Sequence, residues 1–109
     1  MSHISLPSLS DELLVEAEAS THGMASAFVK DSGGFRQILI RLRSDGNLPE
    51  HDNPGEAMAF VVEGAVRFLV PDLDEVHELR AGDLFTVPDA RHSVEALEDS
   101  LLLLTFAPN

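Results

Sequence analysis

Residues 45–64 read DGNLPEHDNPGEAMAFVVEG. The stretch opens on a turn at Asp45-Gly46 and passes His51 and Asn53. It crosses Pro54-Gly55 to Glu56, then runs apolar until Glu63-Gly64. Glycine tolerates the positive φ of a tight turn, so Ala57–Val70 is expected to form two strands joined at Glu63-Gly64 as a hairpin. That segment is apolar on both faces, as in a strand covered on two sides.

The same punctuation continues on either side of it. MASAFVK (Met24–Lys30) and FRQILIRLR (Phe35–Arg43) read as strands separated by Asp31-Ser32-Gly33-Gly34. In the second, Phe35, Gln37, Leu39, Arg41 and Arg43 share one face; Arg36, Ile38, Ile40 and Leu42 share the other. The arginines assign the Gln37 face to water and Ile38, Ile40 and Leu42 to the core. Downstream, Glu75–Leu79, Leu84–Val87, His92–Leu97 and Ser100–Ala107 alternate with turns at Pro71–Asp74, Arg80–Asp83, Pro88-Asp89 and Glu98-Asp99. Ser10–Ser20 reads as one short helix, capped by Ser10, with Leu13, Leu14 and Ala17 on one face. Many short strands with Gly/Pro punctuation predict an all-β sandwich or barrel. The expected organisation is an N-terminal arm with a short helix (1–22) and a single barrel domain (23–109).

Composition narrows the function classes. With 109 residues there is room for one core, and 44% apolar content is enough to build it. There is no cysteine, which excludes disulfides, zinc–thiolate sites and thiol nucleophiles and suits a reducing compartment. The net charge of -12, with seven scattered basic residues, repels phosphate backbones, so no nucleic-acid partner is expected. MSHISLPSLS has neither the basic nor the apolar part of a secretion signal, and Leu101–Leu104 is far too short to span a bilayer. The expectation is a cytoplasmic protein with no membrane partner. No G-x-S-x-G elbow or phosphate-cradling glycine loop is present.

Two stretches, DGNLPEHDNPGEAMAFVVEG (45–64) and GDLFTVPDARHSVEALEDS (82–100), lie in the order and at the distance of the two motifs of the cupins. The chain from Gly46 to Pro108 resembles a small single-domain cupin. The fold this implies is a double-stranded β-helix, or jelly-roll, barrel. Metal-binding cupins take two histidines and a glutamate from the first motif and a histidine from the second. By that correspondence His51 and His92 are matched. Asn53 stands in place of the second histidine, and counting back from Gly64 puts Ala57 at the glutamate position. His92 follows Pro88 by four residues where the family pattern has five.

Strand parity agrees: residues 51, 53 and 57 point to one side, and Glu56 points to the other unless Pro54-Gly55 shifts the register by one. A divalent transition metal (Zn, Fe, Mn or Ni) needs at least three good protein ligands, here His51, His92 and either Glu56 or, more weakly, Asn53. The bland alternative is a pair of histidines lining a metal-free pocket. Arg91, beside His92, is a candidate to hold an anionic ligand at the barrel mouth. The resulting expectation is a small polar or carboxylated ligand in the barrel, with His51, Asn53, Glu56, Arg91 and His92 as pocket residues. The alternative is a metal-dependent dioxygenase or isomerase. His77 is expected at the surface or an interface, Met58 and Phe60 in the core or an interface. The resemblance and the open sheet edges both imply a homodimer.

Overall fold

The computed structural model describes residues 3–52 and 55–108; Asn53 lies outside the described residues. One helix, α1 (Leu6–Ala19), precedes nine strands: β1 (Met24–Asp31), β2 (Arg36–Leu42), β3 (Asn47–His51), β4 (Gly55–Glu63), β5 (Ala65–Val70), β6 (Glu75–Arg80), β7 (Leu84–Thr86), β8 (His92–Ala96) and β9 (Ser100–Pro108). They form two antiparallel sheets, β1-β2-β9-β4-β7 and β3-β8-β5-β6. Between the sheets lies a core built from Ile40, Leu42, Val61, Val66, Phe68, Val94 and Leu102 with their neighbours. Ile40 and Leu42 face it as expected, and β4 alternates strictly, with Ala57, Ala59 and Val61 inward and Glu56, Met58 and Phe60 outward.

Three expectations are corrected. First, β4 and β5 do not pair as a hairpin. Gly64, at φ +86°, carries the chain from one sheet to the other. Its carbonyl accepts from Ala81 N at 3.0 Å, and its Cα lies against the Asp99-Ser100 backbone. A corner of this kind is what closes two sheets into a barrel, and only a residue without a Cβ fits it.

Second, the helix starts earlier. Ser5, not Ser10, is the N-cap, its hydroxyl accepting from Ser8 N at 3.3 Å, and Pro7 sits in the first turn where its missing N–H costs nothing. Ser10 is buried inside the helix.

Third, the face of β2 assigned to water is covered by α1. Leu39 is fully buried against Leu13, Ala17, Ala25 and Leu101. Arg41 Nη1 donates to Ser10 Oγ at 3.2 Å and to Glu63 Oε2 at 3.1 Å. Arg43 Nη1 reaches the carbonyls of Ala17, Glu18 and Ser20 at 3.3, 2.9 and 3.2 Å, where the helix leaves acceptors unsatisfied. The arginines are helix anchors.

Candidate functional site

A strand not anticipated, β3, brings His51 into place. It pairs with β8, matching Leu48 with Val94 and His51 with His92. Between these pairs β3 advances three residues and β8 two, so β3 carries a bulge. The extra residue re-phases the strand. Leu48 and His51 therefore both face the barrel interior, although regular alternation would set them apart.

The two imidazoles meet in the wall of an interior cavity of about 270 Å³. Their ring centroids lie 4.4 Å apart at 65°. His51 Nδ1 is 2.8 Å from Pro49 O, and His92 Nδ1 is 3.0 Å from Ala90 O. A carbonyl oxygen only accepts, so both Nδ1 atoms carry a proton, and in a neutral ring the lone pair is then at Nε2. His92 is 4% exposed and stacks over Phe68 with centroids 5.9 Å apart. Burial holds its pKa below the usual histidine value, the backbone bond to Ala90 works the other way, and His51 lowers it further. His92 is therefore neutral at pH 7. The remaining wall is mainly apolar, including Met24, Ile38, Ile40, Leu48, Leu104 and Phe106. Most of these were not singled out from the sequence. For Met24, Leu104 and Phe106 the signal is alternation on strands that carry neither histidine; Leu48 shares β3 with His51.

Glu56 and Arg91, also expected at the pocket, fall elsewhere. From Gly55 the β4–β9 ladder runs without interruption to Val61, pairing Glu56 with Ala107 and Ala57 with Phe106. No one-residue shift occurs at the start of the strand. Ala57 therefore faces the cavity, while Glu56 lies on the outer surface beside Phe35 and Met58. Arg91 turns outward, its Nε 2.9 Å from Glu50 and its Nη1 3.3 Å from Asp52. Those carboxylates raise its pKa, the Glu50 bond most. His77 is half-buried, bonded to Glu75 Oε1 at 2.9 Å and packed on Phe85.

Among the described residues no group of three or more His, Cys, Asp or Glu side chains converges to hold a metal ion. The cavity is bordered by two imidazoles and by Asp52, whose carboxylate does not converge with them and is engaged by Arg91 at 3.3 Å. Ala57 has no donor atom, and Glu56 faces away. Among the described residues this donor set falls short of the three protein ligands that a catalytic zinc or a facial-triad iron requires.

Comparisons with solved structures place this geometry. An RmlC-like cupin from Desulfovibrio desulfuricans is similar over 99% of this chain and 96% of its own, at 25% identity and a TM-score of 0.74. An RmlC-like cupin from Shewanella frigidimarina NCIMB 400 matches 81% of this chain and 78% of its own, at 22% identity and a TM-score of 0.71. Salicylate 1,2-dioxygenase from Pseudaminobacter salicylatoxidans matches 90% of this chain at 20% identity and a TM-score of 0.75, and this chain spans 32% of that enzyme. No family model and no curated protein matches the chain. The two sheets, the helix on one face and the motif order together make this chain a cupin-fold protein.

Proposed function

We propose that the chain is a small-molecule-binding cupin whose ligand seats in the barrel cavity against His51 and His92. One observation carries this reading: a mainly apolar cavity of about 270 Å³ lined in part by two imidazoles whose Nδ1 atoms are already committed to the backbone. Small-molecule sites combine an apolar wall with a few convergent polar groups. The size lies between the ~150 Å³ void that holds benzene and the ~300 Å³ at which ordinary ligand pockets begin. A ligand of about one ring fits. A carboxylated ligand is less well served, because Arg91 is held outside by two acids. A cytoplasmic home accords with the absence of cysteine.

The test is titration of the protein with toluene while following the side-chain methyl resonances of Ile38, Ile40, Leu48 and Leu104. Saturable shifts confined to these methyls are expected, and they should vanish when the cavity is filled by Ala57→Leu. Toluene, phenol, benzylamine and benzoate all leaving these methyls unmoved would sink the reading. Elemental analysis after supplementation with Fe, Mn, Zn and Ni tests the metal-enzyme alternative. A stoichiometric metal lost in both His51→Ala and His92→Ala would replace the present reading with that one.

The same reading includes a homodimer. On the outer face of the five-stranded sheet, α1 covers the part around Leu39 and Leu101. Beyond it, Met58, Phe60 and Leu84 stay more than a third exposed. They share this face with Leu103, Thr86 and Thr105. These six residues carry no charge in a chain of net charge -12, so the patch can face its own copy without repulsion. Light scattering should give twice the 11.8 kDa chain mass, and Phe60→Glu with Leu84→Glu should return the monomer. A wild-type monomer at micromolar concentration would refute the dimer.

A further inference from the structure

The polar end of the cavity has a definite hydrogen-bonding sign, and this narrows the ligand class. The inference rests on the cavity reading above. Both Nδ1 protons are spent on Pro49 O and Ala90 O, so a neutral ring at either position has only the Nε2 lone pair left to offer a ligand. The centroid separation of 4.4 Å puts the two rings within reach of one small head group. Asp52, which also borders the cavity, adds a carboxylate and no proton. Among the described residues no lysine or arginine lines the space. Arg91 is engaged by Glu50 and Asp52, and Arg41 and Arg43 lie beneath α1 on the far side of the sheet. A carboxylate or phosphate would bring acceptors to acceptors and lose its water without replacement.

The geometry points to a ligand that donates hydrogen bonds from its polar end: a single-ring or similarly small apolar body bearing a hydroxyl or an amine, with His51 and His92 as its acceptors. The apolar body meets Ile38, Ile40, Leu48, Leu104 and Phe106. An amine head has N–H groups for both imidazoles, whereas a hydroxyl, with its single proton, donates to one of them; no charge need be buried on the protein side.

Four probes with one ring each separate the terms: toluene (apolar only), phenol (neutral donor), benzylamine (cationic donor) and benzoate (acceptor only). Dissociation constants are measured by calorimetry at pH 7.5, with the cavity methyls followed in parallel. Phenol or benzylamine is expected to bind about ten-fold or more tighter than toluene and benzoate, as one good hydrogen bond (phenol) or two modest ones (benzylamine) would produce. Phenol alone would name a hydroxyl ligand; benzylamine alone would name an ammonium. The double variant His51→Phe/His92→Phe should erase the preference while toluene still shifts the methyls, which shows that the barrel is intact. Benzoate as the tightest probe, or phenol and benzylamine no tighter than toluene, overturns the donor-head inference and leaves the cavity reading standing. If none of the four moves the cavity methyls, both fall together.

Discussion

Gly64→Ala is expected to cost about 3 kcal/mol or more, a large share of the roughly 5–15 kcal/mol that holds a domain of this size together. Two effects add. A φ of +86° is strained for any L side chain, at roughly 1–2 kcal/mol. The new methyl would also meet Asp99 O, Ser100 Oγ and Ser100 Cα. Backbone cannot swing aside as a flexible side chain does, and overpacking of this kind costs about 1–3 kcal/mol more. Ser100 is itself fixed: its hydroxyl accepts from Ala65 N at 3.1 Å and lies 2.8 Å from Glu98 O. Gly82 is the control. Its φ is +94°, yet nothing lies within 4 Å of where its Cβ would stand. Gly82→Ala should therefore show the dihedral cost alone. Urea unfolding of both variants checks this. Equal losses would mean that the close approach at the corner does not matter, and that the sheet-to-sheet turn has another origin.

The corner shows why part of the fold was readable in advance and part was not. Glu63-Gly64 announces a turn with positive φ, and a turn is what forms. Whether the flanking strands pair with each other or join different sheets depends on distant partners, Asp99 and Ser100, that no local pattern names. Strand positions came from alternation, a local property, and they agree to within a residue or two. β3 escaped notice because Pro49 and a bulge break its alternation, and the same bulge lets His51 face inward.

The candidate site divides the same way. Motif spacing picked out His51 and His92, and the two rings do meet. Parity set Glu56 opposite Ala57, and the uninterrupted β4–β9 ladder keeps it there. Arg91 was placed by its adjacency to His92, which says nothing about where the chain's nineteen acids lie. Two of them, Glu50 and Asp52, hold it outside.

The largest misreading, the face of β2, carries a second strong prediction. Two arginines on one face of a strand suggest water, because a charge is rarely buried without partners. Here α1 supplies the partners. Its carbonyl-rich end takes Arg43, and Ser10 with Glu63 takes Arg41. Leu39, two residues before Arg41 and on the same face, is 0% exposed. If that face is core, Leu39→Ala should cost about 2–5 kcal/mol, as large-to-small changes in packed interiors do. If the face were wet, the same change would fall within about 0.5 kcal/mol.

Arg41 separates packing from charge. Its Nε is buried with no hydrogen-bond partner among the described residues, and its partner Glu63 is mostly exposed and can return to water. Replacing a buried, imperfectly satisfied ion by an apolar side chain of similar length is often neutral or favourable, so Arg41→Met should lie within about 1 kcal/mol of wild type. Arg41→Ala should be worse than Arg41→Met, because the aliphatic stem that packs between helix and sheet is lost with the charge. Denaturation of the three variants reads out the order. Leu39→Ala falling within the surface range would mean that α1 does not cover this face, and that the face is wet after all.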